Sequence, residues 1–418
     1  MRYLYTVLFY LVLPFLFLRL LLRSRRAPEY RRRWAERLGI TPFQLEKCIW
    51  VHAVSVGETL AAVPLIKALK ANYPQIPIVV TNMTPTGAAR VKAAFGDAVL
   101  QTYIPYDAPD AMARFLSRVN PLVGVVMETE LWPNLFAGCK KRKIPMVITN
   151  ARLSPKSAKG YEAIGTLTRE MLTAVHILAS QGIADAERFV ALGMPKEKVF
   201  VTGNLKFDLE LPSDLAAKSS VLKTQLGSDR LIWVAASTHP TEEEIVLSAH
   251  KKIREKHPRA LLILVPRHPD RFDSVRELVQ QQGFKIASRS RNEICTPETD
   301  VYFGDTMGEL LLMYSVCDVA FVAGSFAKIG GHNMLEAAAL DKPIVMGPQL
   351  YNFAEISEKL LSAQGMVKVQ NGDELAETVS RLFADENYRK QTGDHALSVV
   401  EANRGALKKQ LELIQSLI

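Results

Sequence analysis

From Cys48 onward the chain alternates short, almost wholly apolar runs with amphipathic stretches. CIWVHAV, IPIVVTN, PLVGVVM, PMVITN, AVHILAS and KVFVTGN have strand length and lack the polar alternation of a half-exposed strand. Parallel strands buried on both faces read this way, with amphipathic segments such as Leu60 to Lys70 as the crossover helices. A second series begins at Leu231 with LIWVAAS, ALLILVP, DVYFG, DVAFVAG and PIVMG. Between the series, Leu209 to Ser228 is polar, contains Pro212 and reads as a linker. The pattern predicts an α/β protein of two doubly wound, Rossmann-like domains, residues 23–208 and 229–418, joined by 209–228 with a cleft between them. The stretch from Asp385 onward reads as helical and is expected to cross back over the linker.

A different pattern precedes the first strand. Tyr3 to Leu22 is a twenty-residue apolar run broken only by Thr6, Pro14 and Arg19. As a helix it just spans a hydrocarbon core of about 30 Å, so residues 1–22 read as a membrane helix. The alternative is a buried or surface-lying N-terminal helix. Arg23, Arg25, Arg26 and Arg31 to Arg33 follow, without a small-residue cleavage site, so removal as a signal peptide is not expected. Positive charge behind the helix places the body on the cytoplasmic side.

Charge sharpens this division. The 418 residues carry a net +9, yet the segment ending at Lys47 has ten Lys/Arg against three Glu, while the remainder has 42 against 40. A near-neutral body argues against nucleic acid as a partner. The arginine cluster with Trp34 suits an anionic lipid surface. Four widely spaced cysteines without a CxxC pair indicate neither a zinc site nor a disulfide framework.

Ligands of doubly wound sheets bind beyond the carboxyl ends of the strands, so the residues after each strand carry the information. In WVHAVSVGE, Glu58 opens a helix after Gly57. An acid there commonly serves the helix dipole; at a strand end it can also be a general base. In METELWPN, Glu128 and Glu130 end an apolar strand and are expected to point to opposite faces, one of them toward the cleft. NARLS (150–154) and GNLKFD (203–208) put polar groups at two further strand ends, and Lys206 is either a solvated lysine or a ligand for carboxylate or phosphate. In the second half, STHPTEEE (237–244) is good capping chemistry. Arg267 and His268 form a cationic corner between Pro266 and Pro269, and GDTMGEL (304–310) offers amides at a helix start. GSFAKIGGHNMLEAAA (324–339) runs a glycine loop into a helix, a pattern for anion binding by free amides, with Glu336 placed to accept ribose hydroxyls. No G-x-G-x-x-G follows the first strand, so a dinucleotide is not expected. No Asp-x-Asp metal motif is present.

Taken in order, WVHAVSVGE, TNMTPTG, METELWPN, NARLS, GNLKFD, VPRHPDRF, GDTMGEL and GGHNMLEAAA resemble the 3-deoxy-D-manno-octulosonic acid (Kdo) transferases of lipopolysaccharide synthesis. The basic YRRRWAERLG segment behind an apolar helix is similar as well. The resemblance covers essentially the whole chain. It implies the GT-B glycosyltransferase fold and transfer of Kdo from CMP-Kdo to lipid IVA, the lipid A precursor, at the cytoplasmic face of the inner membrane. It implies no cofactor and no metal. By the same resemblance Glu58 is the general base, and Glu128 and Lys206 support the transition state. Pro266 and Arg267, Met307, Gly308 and Glu309, and Asn333, Met334, Leu335 and Glu336 contact CMP. Met334 stands where some relatives carry proline. Two other readings remain: a GT-B-like enzyme of UDP-sugars, transferase or epimerase, and a membrane-anchored binding protein with a decayed site.

Overall fold

The computed structural model describes residues 1–25 and 27–418. Arg26, one of the predicted basic cluster, lies outside the described residues. The chain forms two compact units: residues 1–208 with 404–418, and residues 209–403.

The first unit is built on a seven-stranded parallel sheet. Its strands are β1 (Cys48–His52), β2 (Ile78–Asn82), β3 (Leu100–Tyr103), β4 (Pro121–Met127), β5 (Met146–Ala151), β6 (Ile177–Ser180) and β7 (Val199–Val201). They are ordered β3-β2-β1-β4-β5-β6-β7. The apolar runs are strands because both faces are covered: every residue of β1, β2 and β5 is buried. Gly124 in β4 is required by packing, since a Cβ there would lie 2.5 Å from the Met146 sulfur and 3.1 Å from the Trp50 ring. The strand order reverses between β1 and β4, which makes the loops after these two strands the natural place for a site.

The second unit repeats the design. β8 (Ile232–Thr238), β9 (Leu261–Pro266), β10 (Ile286–Ser288), β11 (Val301–Phe303), β12 (Val319–Val322), β13 (Ile344–Met346) and β14 (Met366–Lys368) form a parallel sheet ordered β10-β11-β9-β8-β12-β13-β14. Its reversal lies between β8 and β12.

Two boundaries differ from the sequence reading. Leu215–Leu226, inside the expected linker, is a helix that buries Leu215, Leu222 and Leu226 and belongs to the second unit. Its three buried leucines lie on one helical face, a signal that the polar average of the segment hides. The last helix, Ala406–Gln415, belongs to the first unit, so the expected second domain of 229–418 ends at Asn403 instead. The crossing back over the domain boundary was expected; its ties are polar. The Asp208 carboxylate accepts from the amides of Gly405 (2.6 Å) and Leu407 (2.7 Å). Gln410, fully buried, accepts from Thr149 Oγ1 and donates to Thr202 Oγ1 at 3.0 Å.

The apolar N-terminal run is a 22-residue helix, Arg2–Arg23, long and apolar enough to cross a membrane. It lies along the first unit instead of standing apart from it. Thr6 Oγ1 donates to Asn134 Oδ1 (3.1 Å), the Tyr10 hydroxyl to Asp110 (2.5 Å), and Phe17 packs edge-on against Tyr106. Tyr3, Val7, Leu11, Phe15, Leu18 and Leu22 form a continuous exposed apolar face, with Tyr3 80% exposed and Phe15 68% exposed. Such a face calls for an apolar environment outside the protein. Of the arginines behind it, Arg23, Arg25, Arg31 and Arg32 are exposed. Arg33 is held by Glu36 at 2.6 Å, and Arg37 is buried over the Tyr103 ring. The segment is thus partly a cationic surface and partly a clamp onto β3.

Candidate active site

In the first unit the site is assembled from the loops after β1, β4 and β7. Glu58 stands in the first turn of the helix Val56–Asn72 and is 7% exposed. It completes a capping box: Ser55 Oγ accepts from the Glu58 amide at 3.2 Å, and the Ser55 amide donates back to Glu58 Oε1 at 3.3 Å, joined by the Ser55 hydroxyl at 2.7 Å. Val54 N–H donates to Oε2 at 2.8 Å. The carboxylate is therefore fixed in one orientation. Each of its oxygens can accept twice, so Oε2 keeps capacity for a further hydroxyl.

Glu128 has a left-handed backbone, φ +54°. This ends the strand at Met127. The expectation of opposite faces does not hold: even in a continuing strand, residues two apart share a face. Both interact electrostatically with Glu58. Burial pushes the Glu128 carboxyl up, Lys206 and Arg152 pull it down, and Glu58 pushes it up again. Burial, and then the neighbouring Glu58, push Glu130 up to about 7, although Trp132 donates its indole N–H to it at 2.8 Å. The three acids and Lys206 are thus one cluster. Sequence reasoning named Glu130 and gave it no role; it comes near Glu58 because β4, which it follows, lies beside β1.

Lys206 sits in the short turn Leu205–Phe207, held from below. The Asn150 side chain accepts from the Leu205 amide at 3.0 Å, and Asn204 accepts from the Lys206 amide at 3.0 Å. Asn150 is itself left-handed, φ +52°, and its amide donates to Gln410 at 3.2 Å. Asn150 and Gln410 are supports that spacing alone could not assign, since Gln410 comes from the far end of the chain.

A pH test follows from Glu130. An acid whose folded pKa lies above its unfolded value stabilises the fold below the unfolded value and loses that contribution as pH rises through the folded one. With 4.5 unfolded and about 7 folded, the window is pH 4.5 to 7. Glu130→Gln is expected to gain stability relative to wild type between pH 5 and pH 8, by on the order of 2 kcal/mol. Urea midpoints at the two pH values measure it. A difference that does not change with pH would show that Glu130 does not titrate there.

In the second unit, Pro266 at the end of β9, Arg267 just after it, and Met307, Gly308 and Glu309 after β11 line one small hollow of about 70 Å³ with Ser237. Glu309 is engaged twice by Arg289, at 3.0 and 2.8 Å, and its carboxyl is held below the usual range mainly by that pair. Its carboxylate is thus held by protein. Glu336 is brought to the same place: burial pushes its carboxyl up, and Asn333 and Arg267 pull it down. Met334 and Leu335 are fully buried, which leaves only their backbone for a ligand.

The glycine loop departs from expectation. The amides of Gly324 (2.8 Å), Ser325 (3.1 Å) and Phe326 (2.9 Å) donate to the carboxylate of Glu242, which is fully buried. The Leu335 amide is capped by Asn333 Oδ1 at 3.2 Å, and the helix after the loop has only four residues. These amides are engaged by side chains of the chain itself, so the cationic capacity of this face rests on Arg267 and its neighbours. His239 and His332 stack there with ring nitrogens 2.7 Å apart.

Two parallel α/β units with polar side chains at their strand ends have the GT-B architecture. A UDP-GlcNAc 2-epimerase structure from Neisseria meningitidis covers 88% of this chain and 100% of its own, with a TM-score of 0.60 at 13% identity, a likeness of fold. The family model described as 3-Deoxy-D-manno-octulosonic-acid transferase (kdotransferase) matches residues 32–209. A 3-deoxy-D-manno-octulosonic acid transferase of Haemophilus influenzae is 42% identical over 99% of this chain and 98% of its own length. One from Bordetella pertussis is 34% identical over 90% of this chain and 88% of its own. The chain belongs to the 3-deoxy-D-manno-octulosonic acid transferase family.

Proposed function

We propose that the chain transfers Kdo from CMP-Kdo to lipid IVA with inversion at the anomeric carbon and without a metal. The observation that carries this reading is the cluster of Glu58, Glu128, Glu130 and Lys206 at the switch point of the first sheet. The acceptor hydroxyl is a weak nucleophile. Glu58, oriented by Val54 and Ser55, removes its proton as oxygen attacks the anomeric carbon. CMP departs from the opposite face, through a transition state of oxocarbenium character. Glu128 supports the positive charge that develops on the sugar, and Lys206 holds the Kdo carboxylate or the departing phosphate.

CMP is held by the second unit. Arg267 faces the phosphate, Glu336 accepts ribose hydroxyls, and the backbone at Met307 to Glu309 and at Asn333 to Leu335 frames the base and sugar. Arg267 and Lys206 supply the charge that a divalent ion provides in enzymes with an Asp-x-Asp motif. The apolar N-terminal helix and the exposed arginines hold the body at the cytoplasmic face of the inner membrane, where an anionic lipid acceptor resides.

Incubation of the full-length protein with CMP-Kdo and lipid IVA, with mass spectrometry of the product, tests the reading. A mass increase by whole Kdo units and release of CMP are expected. Turnover with UDP-sugars and none with CMP-Kdo would reject it.

A further inference from the structure

Between the first half of the N-terminal helix and the body of the first unit lies a cavity of about 480 Å³. Leu4, Leu8 and Phe9 line it from the helix, and Leu131, Ile164 and Leu167 from the body. Among the described residues, Asp107 is the one charged side chain on its wall, and its carboxylate already accepts from the amides of Asn134 (3.0 Å) and Leu135 (2.8 Å). We propose that this cavity seats an acyl chain of the lipid acceptor, which makes the N-terminal helix a wall of the acceptor site as well as an anchor. The proposal rests on the transferase reading above.

Three observations select this occupant. The first is continuity with the catalytic cluster. Trp132 lines the cavity, donates to Glu130 at 2.8 Å and packs against His52 at 5.3 Å between ring centroids. Tyr161 lines it too and interacts electrostatically with Glu130. A chain lying in the cavity therefore ends beside the acids that act on a hydroxyl. The second is its opening. Leu4 and Leu8 line the cavity and are still 57% and 53% exposed, so it opens where the helix shows its apolar face. The third is charge. A second hollow of about 750 Å³ shares Pro133, Leu167 and Met171 with the first, and Arg2, Lys140, Lys141 and Arg142 rim it against a single acid, Glu170, among the described residues. An apolar slot beside a cationic rim fits a lipid with anionic headgroups. Each methylene withdrawn from water is worth roughly fourfold in affinity, so a few of them dominate acceptor binding.

The experiment compares the tetraacyl disaccharide bisphosphate with its deacylated counterpart, with CMP-Kdo as donor and full-length enzyme. Leu167→Trp fills the cavity from the body and Leu8→Trp from the helix. KM for the tetraacyl acceptor is expected to rise about 10- to 100-fold with little change in kcat, while kinetics with the deacylated acceptor stay at wild-type values. Leu8 lies outside the sheet core, so its variant does not depend on repacking the body. As a second readout, an acceptor with a diazirine in an acyl chain is expected to label peptides containing residues 4–9 or 161–171. An unchanged KM, an equal loss with both acceptors, or labelling elsewhere would overturn the proposal; the first is the result if the cavity holds a bilayer phospholipid. Wild-type enzyme that transfers Kdo to neither acceptor would overturn the transferase reading, and this proposal with it.

Discussion

Replacing Glu58 with Gln is expected to lower turnover by about two to four orders of magnitude, the usual worth of a general base, with CMP binding unchanged. The substitution separates two roles that the structure superimposes on this residue. Glu58 closes a capping box with Ser55, and a Gln at the same position closes such a box as well. The helix start is thereby kept while the proton acceptor is lost. Ser55→Ala is the converse control. It removes the cap, at about 1 kcal/mol of stability, and leaves the carboxylate in place with the Val54 amide. Its turnover should fall far less. Single-turnover measurement at saturating donor, with calorimetric titration of CMP, checks both. Near-wild-type turnover in Glu58→Gln would assign Glu58 to capping alone and send the search for the base to Glu128 and Glu130.

Arg267→Ala and Glu336→Ala are each expected to weaken CMP binding by roughly 1.5–3 kcal/mol, the range for a charge-assisted hydrogen bond. The two effects should not add. Arg267 pulls the Glu336 carboxyl down against its burial, so the arginine variant also leaves Glu336 protonated to higher pH. CMP affinity in Arg267→Ala should therefore fall further as pH drops, more steeply than in wild type. Calorimetry at two pH values reads the affinity and the coupling together. Unchanged affinity in both variants would move the nucleotide to another part of the second unit. Glu309 provides a contrast, because its carboxylate is bound by Arg289 and its replacement acts through the loop it holds.

The strands were legible from the chain because both faces of a parallel sheet are apolar, and a run of such residues has few other uses. The candidate residues Glu58, Glu128, Lys206 and Arg267 could be located for a related reason: polar side chains soon after such runs lie at the carboxyl edge of the sheet, and Glu336 follows the glycine loop that leaves the same edge. The long apolar helix could be read from composition alone. Which strand ends meet could not, because strand order is set by crossovers that periodicity does not encode. Only the tertiary structure puts β1 beside β4, and with them Glu58 beside Glu128 and Glu130. The left-handed backbone at Glu128 is equally invisible to an alternation rule, which assumes that the strand continues. The amides of the glycine loop looked free, yet Glu242, some eighty residues earlier, already accepts from them. The N-terminal helix is apolar on every side, so its sequence does not distinguish the face toward lipid from the face toward protein. Hydrogen bonds from Thr6 and Tyr10 to the body decide that, because a polar group on an apolar helix goes where it finds a partner.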